Sequence, residues 1–478
     1  MPTGDVALSS CVTLSEVKGL IMPRLDASLC SARQSGYNPH PVPSPSTNLA
    51  SGPAPSRTRW KILALLTLIS IITYVDRVNI SVAARQMMPA LGLTQMQMGY
   101  VFSAFVLGYA LFQIPGGWLG DRWGTRLVLA GAVVWWSLFT ALTAVAGTLP
   151  TAAWLGVLGS LILIRFLIGV GEAAALPNFN RAVANWFPLR ERGLGMGVSI
   201  GGIGIGSAIT PPLVAWMMVN FGWQSTFYAA GLAGVLIAGL WGWYATDRPE
   251  QHHGVTHAEL VHIQSESAGA TPSLLLIEPV PWRAFARTPS VWWLVISYTA
   301  LGYVAYVYMS WFYLYLVNER GFGILRGAFF ASGPFLAMTV LCPLGGWVTD
   351  RVAAALGVNA GRSWVGGAGM LLSGVCIVAG TQIAEPYTAI TLLSLGAGFL
   401  YFTVGAFWAS TIDFAPRHAG TLSGIMNTGA NVGGTLSPTL TPWLAEHFGW
   451  NVSLGFAAAI AALGGLLWLL VRPGDGLR

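Results

Sequence analysis

Two arginines and two carboxylates stand in stretches of this chain that otherwise carry no charge. Arg165 and Glu172 fall in RFLIGVGE, inside an apolar run from about Trp154 to Ala175, and Asp76 and Arg77 fall in ITYVDRVNISVA, inside an earlier run. An ionised side chain at bilayer depth costs at least about 2.5 kcal/mol, so such groups mark a substrate pathway, a proton relay or a counter-ion pair. Arg165 and Glu172 are two helical turns apart. At about 3.6 residues per turn they share one face, about 10 Å apart, with Gly169 between them. Asp76 and Arg77 are turned about 100° from each other, so one faces an interior cavity while the other ties its helix to a neighbour. Arginine stays protonated whereas a carboxylate titrates. A fixed cation beside a switchable anion suits the carriage of an organic anion together with a proton. The plainer alternative is an ion pair that only ties the first helix to the fourth.

These groups need helices in a membrane to hold them. Of the 478 residues 54% are hydrophobic and 9% charged, against about 25% charged in soluble domains. The fold class is therefore an all-α polytopic membrane protein. Apolar runs of bilayer length, about 20 residues each, lie near 61–83, 97–120, 127–148, 152–178, 193–219, 224–245, 291–317, 327–349, 363–382, 386–411, 420–445 and 450–471, which gives twelve expected transmembrane helices. Most of the 24 Lys and Arg fall in connections on one side of this array, and only Arg85, Arg320 and Arg326 lie on the other. By the positive-inside rule both termini are cytoplasmic. The basic balance is thus a matter of topology, and no nucleic acid partner is expected.

Residues 1–56, rich in Ser, Pro, Gly and Asn, lack the periodicity of a packed element and are expected to be a disordered tail. Cys11, Cys30, Cys342 and Cys376 have no metal-ligand spacing and read as free thiols. Within the body, GGWLGDR at 116–122 returns as GGWVTDR at 345–351. Gly193, Pro211 and FGW at 221–223 return as Gly420, Pro438 and FGW at 448–450, all at one displacement. The chain therefore divides into a six-helix half at 57–245, a polar connection at 246–290, a second six-helix half at 291–472 and a short tail at 473–478. Such parallel repeats place a substrate site at mid-membrane between the halves. Leu392, Phe399 and Tyr303 stand where the first half has Arg165, Glu172 and Asp76. Proton chemistry is expected in the first half alone, with the second supplying shape, aromatic surface and neutral hydrogen bonds.

GGWLGDRWGTR at 116–126 carries a conformational motif. Gly117 and its neighbours let helix ends approach, while Asp121, Arg122 and Arg126 sit where charge caps helices and locks elements across the cytoplasmic face. The second copy keeps Asp350 and Arg351, with its final arginine displaced to Arg362. In the seventh run, SYTALGYVAYVYMSWFYLYL, several tyrosines offer a ring face and a hydroxyl, and Tyr306 is the one put forward for substrate contact. GVSIG at 197–201 satisfies a nucleophile-elbow pattern, but in a Gly-rich helix start it reads as packing. His252, His253, His257 and His262 read as a solvated loop rather than a metal site, and no cofactor or enzymatic activity is expected.

GWLGDRWGTR resembles the cytoplasmic loop signature of the major facilitator superfamily, over roughly residues 57–472. YVDR, RFLIGVGEAAALP, NWFPLRERG and TDRPEQHHGVTHAE together resemble its anion:cation symporter family, which takes up hexuronates, aldarates, aldonates and related organic anions with protons. The resemblance implies that Asp76 and Glu172 couple protons, that Arg77 and Arg165 contribute to the anion site, and that Asn427 and Trp408 supply polar and aromatic contacts from the second half. The partners it implies are a small organic anion, protons and the lipid bilayer of a bacterial inner membrane, served by a monomer.

Overall fold

A chain crossing hydrocarbon must satisfy its backbone groups within itself, and helices do so. The computed structural model describes residues 56–188, 191–264, 282–415 and 418–477. Its first group of helices is α1 (Thr58–Leu91), α2 (Gln95–Trp123), α3 (Thr125–Thr143), α4 (Pro150–Glu172), α5 (Ala175–Trp186), α6 (Arg192–Phe221) and α7 (Trp223–Tyr244). Two short helices follow, α8 (His257–Gln264) and α9 (Trp282–Arg287). The second group is α10 (Pro289–Asn318), α11 (Ile324–Ala331), α12 (Gly333–Leu356), α13 (Val358–Gln382), α14 (Pro386–Phe402), α15 (Val404–Phe414), α16 (Ala419–Phe448) and α17 (Trp450–Leu467). Of the expected tail at 1–56, residues 1–55, with Cys11 and Cys30, lie outside the described residues, and Ser56 donates its backbone N–H to Thr256 Oγ1 at 3.0 Å.

Among the described residues, 11 helical segments are long and apolar enough to cross a membrane, with α4 and α5, α11 and α12, and α14 and α15 each counting as one. The run expected at 420–445 does form a helix, the 30-residue α16, yet it stands outside that set. The reason is its inward polar face, on which Ser437 and Thr441 are fully buried. The fourth run is broken by a turn at Ala173 and Ala174. The first is longer than its apolar stretch suggests, so Asp76 and Arg77 sit just past the middle of α1.

Neighbour relations repeat between the groups. α1 packs on α6 as α10 does on α16, α2 on α4 as α12 does on α14, and α3 on α7 as α13 does on α17. Between the groups, α2 runs against α16, and α6 against α11 and α12. Ser103 Oγ donates to Thr435 O at 2.7 Å, and Ser332 Oγ to Ala208 O at 2.6 Å.

The polar connection is tied to the first group more closely than a solvated loop would be. Glu259 accepts from the backbone N–H of Thr58 at 3.2 Å and of Arg59 at 3.1 Å, which caps the start of α1. His252 packs edge-on against Trp186 and Tyr244, and this burial pushes its pKa down. Among the described residues no His, Cys, Asp and Glu cluster fit for a metal occurs.

One close approach positions the charged residues. Gly169 on α4 lies against the backbone of Phe105 and Tyr109 on α2, and an added Cβ would stand 2.9 Å from Tyr109 N and closer still to Phe105 O. Small residues allow helix backbones to come this near. Gly169→Ala forces α2 and α4 apart, and we expect a loss of about 1–3 kcal/mol of stability. Thermal unfolding in detergent checks this, and an unchanged midpoint would contradict the close approach.

Candidate functional site

Four charged groups meet where α1, α2 and α4 cross. Arg77 Nε donates to Glu172 Oε2 at 2.6 Å, with Glu172 fully buried. α1 and α4 are thus joined by an ion pair inside the bundle. The Arg77 guanidinium also stands over the rings of Tyr109 at 4.5 Å, Tyr74 at 4.9 Å and Phe105 at 5.1 Å. Arg165 stands over the same Phe105 ring at 4.8 Å. Aromatic faces attract guanidinium groups and hold them without neutralising them.

The pair that forms is the one that ties the first helix to the fourth. Glu172 pairs with Arg77, because two turns on α4 separate it from Arg165 by more than direct contact allows, while Arg77 reaches across from α1. Among the described residues Arg165 has no carboxylate partner, and its buried Nε has no hydrogen bond. Asp76 is 1% exposed, and neither of its oxygens has a hydrogen-bond partner among the described residues. It is turned about 100° from Arg77, as adjacent residues on a helix are. Glu172 and Asp76 act on Arg165 across the site without touching it, so its guanidinium is already desolvated without being held in a direct ion pair among the described residues.

Arg77, Arg165, Ser81, Tyr306 and Ser310 line a narrow space on the two aromatic rings Phe102 and Phe105. Met309 lines both this space and a cavity of about 390 Å³ that lies among α1, α6, α10, α12, α14 and α15. Tyr74 lines the cavity too, and its hydroxyl is 3.5 Å from Arg77 Nη1. The cavity's other polar groups are Ser207, Thr339, Cys342 and Tyr401, on walls of Ile200, Ile203, Phe335, Met338 and Val404. It is lined from the middle of α1 and α10, the first halves of α6 and α12, and the junction of α14 with α15.

The remaining expected residues lie apart from the arginines. Asn427 donates to Gln113 Oε1 at 3.3 Å, joining α16 to α2. Trp408 is 43% exposed and donates to Tyr298 Oη at 3.2 Å. At the end of α2, Gly117 lies 3.2 Å from Pro177 for an added Cβ, and Asp121 forms an ion pair with Arg181 of α5. Arg126 clasps Gly242 O at 2.6 and 2.9 Å, and its backbone N–H meets Asp247 at 2.8 Å. Arg122 and Arg351 stand over Trp118 and Trp347. In the second copy Arg362 bridges Asp350 and Asp413, each at 2.8 Å. The two copies therefore lock by different pairs.

Sequence reasoning missed Phe105, Tyr109, Gln113 and Arg181 as partners. Phe105, Tyr109 and Gln113 recur at one-turn spacing on α2, a stripe that reads as ordinary packing until the facing helix is known to carry charge. Tyr74, within YVDR, had a signal in its one-turn distance from Arg77.

Residues 66–438 match the model of the Major Facilitator Superfamily, and residues 352–477 match it again. The probable sulfoacetate transporter of Cupriavidus necator is 34% identical over 419 residues, covering 87% of this chain and 94% of its own. The probable galactarate/D-glucarate transporter of Bacillus subtilis is 34% identical over 450 residues, covering 88% and 94%. Among solved structures, a bacterial homologue of the human lysosomal transporter Spinster, inward-facing and occupied, aligns with TM-score 0.70 at 19% identity over 86% of this chain and 96% of its own.

Replacing Glu172 by Ala strands a buried guanidinium. We expect Glu172→Ala to cost about 3–5 kcal/mol, and Glu172→Gln, which keeps an acceptor for Arg77, to cost clearly less. Denaturation of both variants in detergent checks the order, and equal stabilities would contradict a strong buried pair.

Proposed function

This chain belongs to the major facilitator superfamily and is a multi-pass membrane transporter of organic anions rather than an enzyme, and from that premise we propose proton-coupled symport of a small organic anion, a sugar acid in the first instance. In this reading α16 joins the apolar segments as a twelfth span, both termini are cytoplasmic, and a monomer works by alternating access between two six-helix halves in a bacterial inner membrane. The observation that carries the proposal is the buried Arg77–Glu172 pair beside Arg165, which has no carboxylate partner among the described residues, in a space that adjoins the cavity between the helix groups.

Coupling follows from charge. With Glu172 ionised, Arg77 is occupied at 2.6 Å. As pH falls through the Glu172 titration the carboxylate is neutralised, and the guanidinium is free to turn to an acidic group of the substrate that Arg165 does not already hold. Asp76 is the second proton carrier, buried with no direct ion pair among the described residues. The loaded state leaves fewer unbalanced charges in the low-dielectric interior, which is the state that crosses. Tyr306, Asn427 and Trp408 engage the body of the anion from the second half. The motif residues Gly117, Asp121, Arg122, Arg126, Asp350 and Arg351 hold the cytoplasmic ends during the exchange.

The apolar walls of the cavity support a second reading, a carboxylate with an aromatic or short aliphatic body. A panel of glucuronate, galactonate, glucarate, tartrate and an aromatic acid separates the two. In proteoliposomes given a substrate with two acidic groups, such as glucarate, Glu172→Gln is expected to bind and exchange it but to lose accumulation driven by a proton gradient. Retained gradient-driven uptake would remove Glu172 from the coupling. Arg165→Ala is expected to abolish anion binding, and unchanged affinity would refute its role.

A further inference from the structure

The two arginines differ in availability. Both stand over the ring of Phe105, but Arg77 is held by Glu172 at 2.6 Å, whereas Arg165 has no carboxylate partner among the described residues. Beyond them, the described residues lining the cavity of about 390 Å³ include no charged side chain. A substrate with one acidic group finds its counter-ion in Arg165. A substrate with two must either leave the second group against neutral walls, where an unpaired charge costs several kcal/mol, or engage Arg77. Arg77 is available only when Glu172 has lost its charge.

We infer that Arg165 is a standing receptor for one acidic group and Arg77 a conditional receptor for a second, so that diacids bind with one more linked proton than monoacids. The inference rests on the symport reading above and extends it to substrate charge. The exchange balances: one solvent proton bonds to a Glu172 carboxylate oxygen, the Arg77 N–H to Glu172 hydrogen bond is given up, and Arg77 N–H bonds form to the second acidic group. No bond to carbon changes.

The titratable and charged groups around Glu172 are Tyr74, Asp76 and Arg77 of α1, Tyr109 of α2, Arg165 of α4 and Tyr306 of α10. Asp76 is the other group able to bind a proton, and it does not hold Arg77. Its protonation therefore affects mono- and diacids alike and cancels when the two are compared.

The test uses matched probes on the full chain in lipid nanodiscs: galactonate against galactarate, and acetate against sulfoacetate, titrated calorimetrically from mildly acidic to mildly alkaline pH, where all four are fully ionised. One additional linked proton makes diacid affinity fall about tenfold more per pH unit than monoacid affinity, above the Glu172 titration. In Glu172→Gln the two profiles are expected to become parallel, and where that variant does not fold the wild-type difference alone decides. Parallel profiles in the wild type would overturn the inference while leaving anion transport intact. Failure of all four probes to bind at any pH would instead remove the carboxylate and sulfonate reading, and this inference with it.

Discussion

Everything at the centre of this molecule depends on the cost of holding charge away from water. Glu172 is fully buried and Arg77 nearly so, and each is tolerable there because the other is 2.6 Å away. At an effective dielectric constant near 20, a contact of this kind is worth about 4 kcal/mol or more. That is comparable to the penalty of desolvating the pair, so the balance is close to even. A proton or an anion of ordinary affinity can tip it. Among the described residues Arg165 has no such partner in contact, and its guanidinium rests on the face of Phe105. The site holds one satisfied cation and one unsatisfied one, and that inequality gives it direction.

The scaffold keeps the inequality in place. α2 presents Phe105 and Tyr109 to the arginines only because Gly169 and Gly108 let its backbone lie directly on α4. The same helix, through Ser103 and Gln113, touches Thr435 and Asn427 on α16. A rearrangement of charge around Phe105 is therefore mechanically linked to the surface where the two helix groups meet. At the far end, Asp121 with Arg181 and Arg126 with Gly242 tie α2, α3, α5 and α7 together, while Glu259 fastens the polar connection to the start of α1. The first group is braced at both levels, as a body that moves as a unit must be.

Much of this was legible in the sequence because membrane solvation leaves few alternatives. Long apolar runs have to be helices, and charges inside them have to have a purpose. The internal repeat was legible because glycines and prolines at helix ends and crossings are hard to replace. What could not be read was pairing. Residue spacing gives the face of a helix but not which helix lies opposite, so an ion pair between the first and fourth helices could be offered as an alternative without its members, Arg77 and Glu172, being fixed. Phe105 and Tyr109 gave no signal because an aromatic beside a buried cation has the same sequence appearance as one in a core. The polarity of α16 was visible in its Thr, Ser and Asn content, but its meaning needed the facing surfaces.

The most direct measurement is uptake into proteoliposomes of the wild-type chain, with internal pH followed alongside labelled galactarate, galactonate and sulfoacetate. If the buried pair is the coupling element, an inward proton gradient drives accumulation of at least one of these anions above its external concentration, and entry of that anion acidifies the lumen. Transport that proceeds equally with and without the gradient, and leaves internal pH unchanged, would contradict the account.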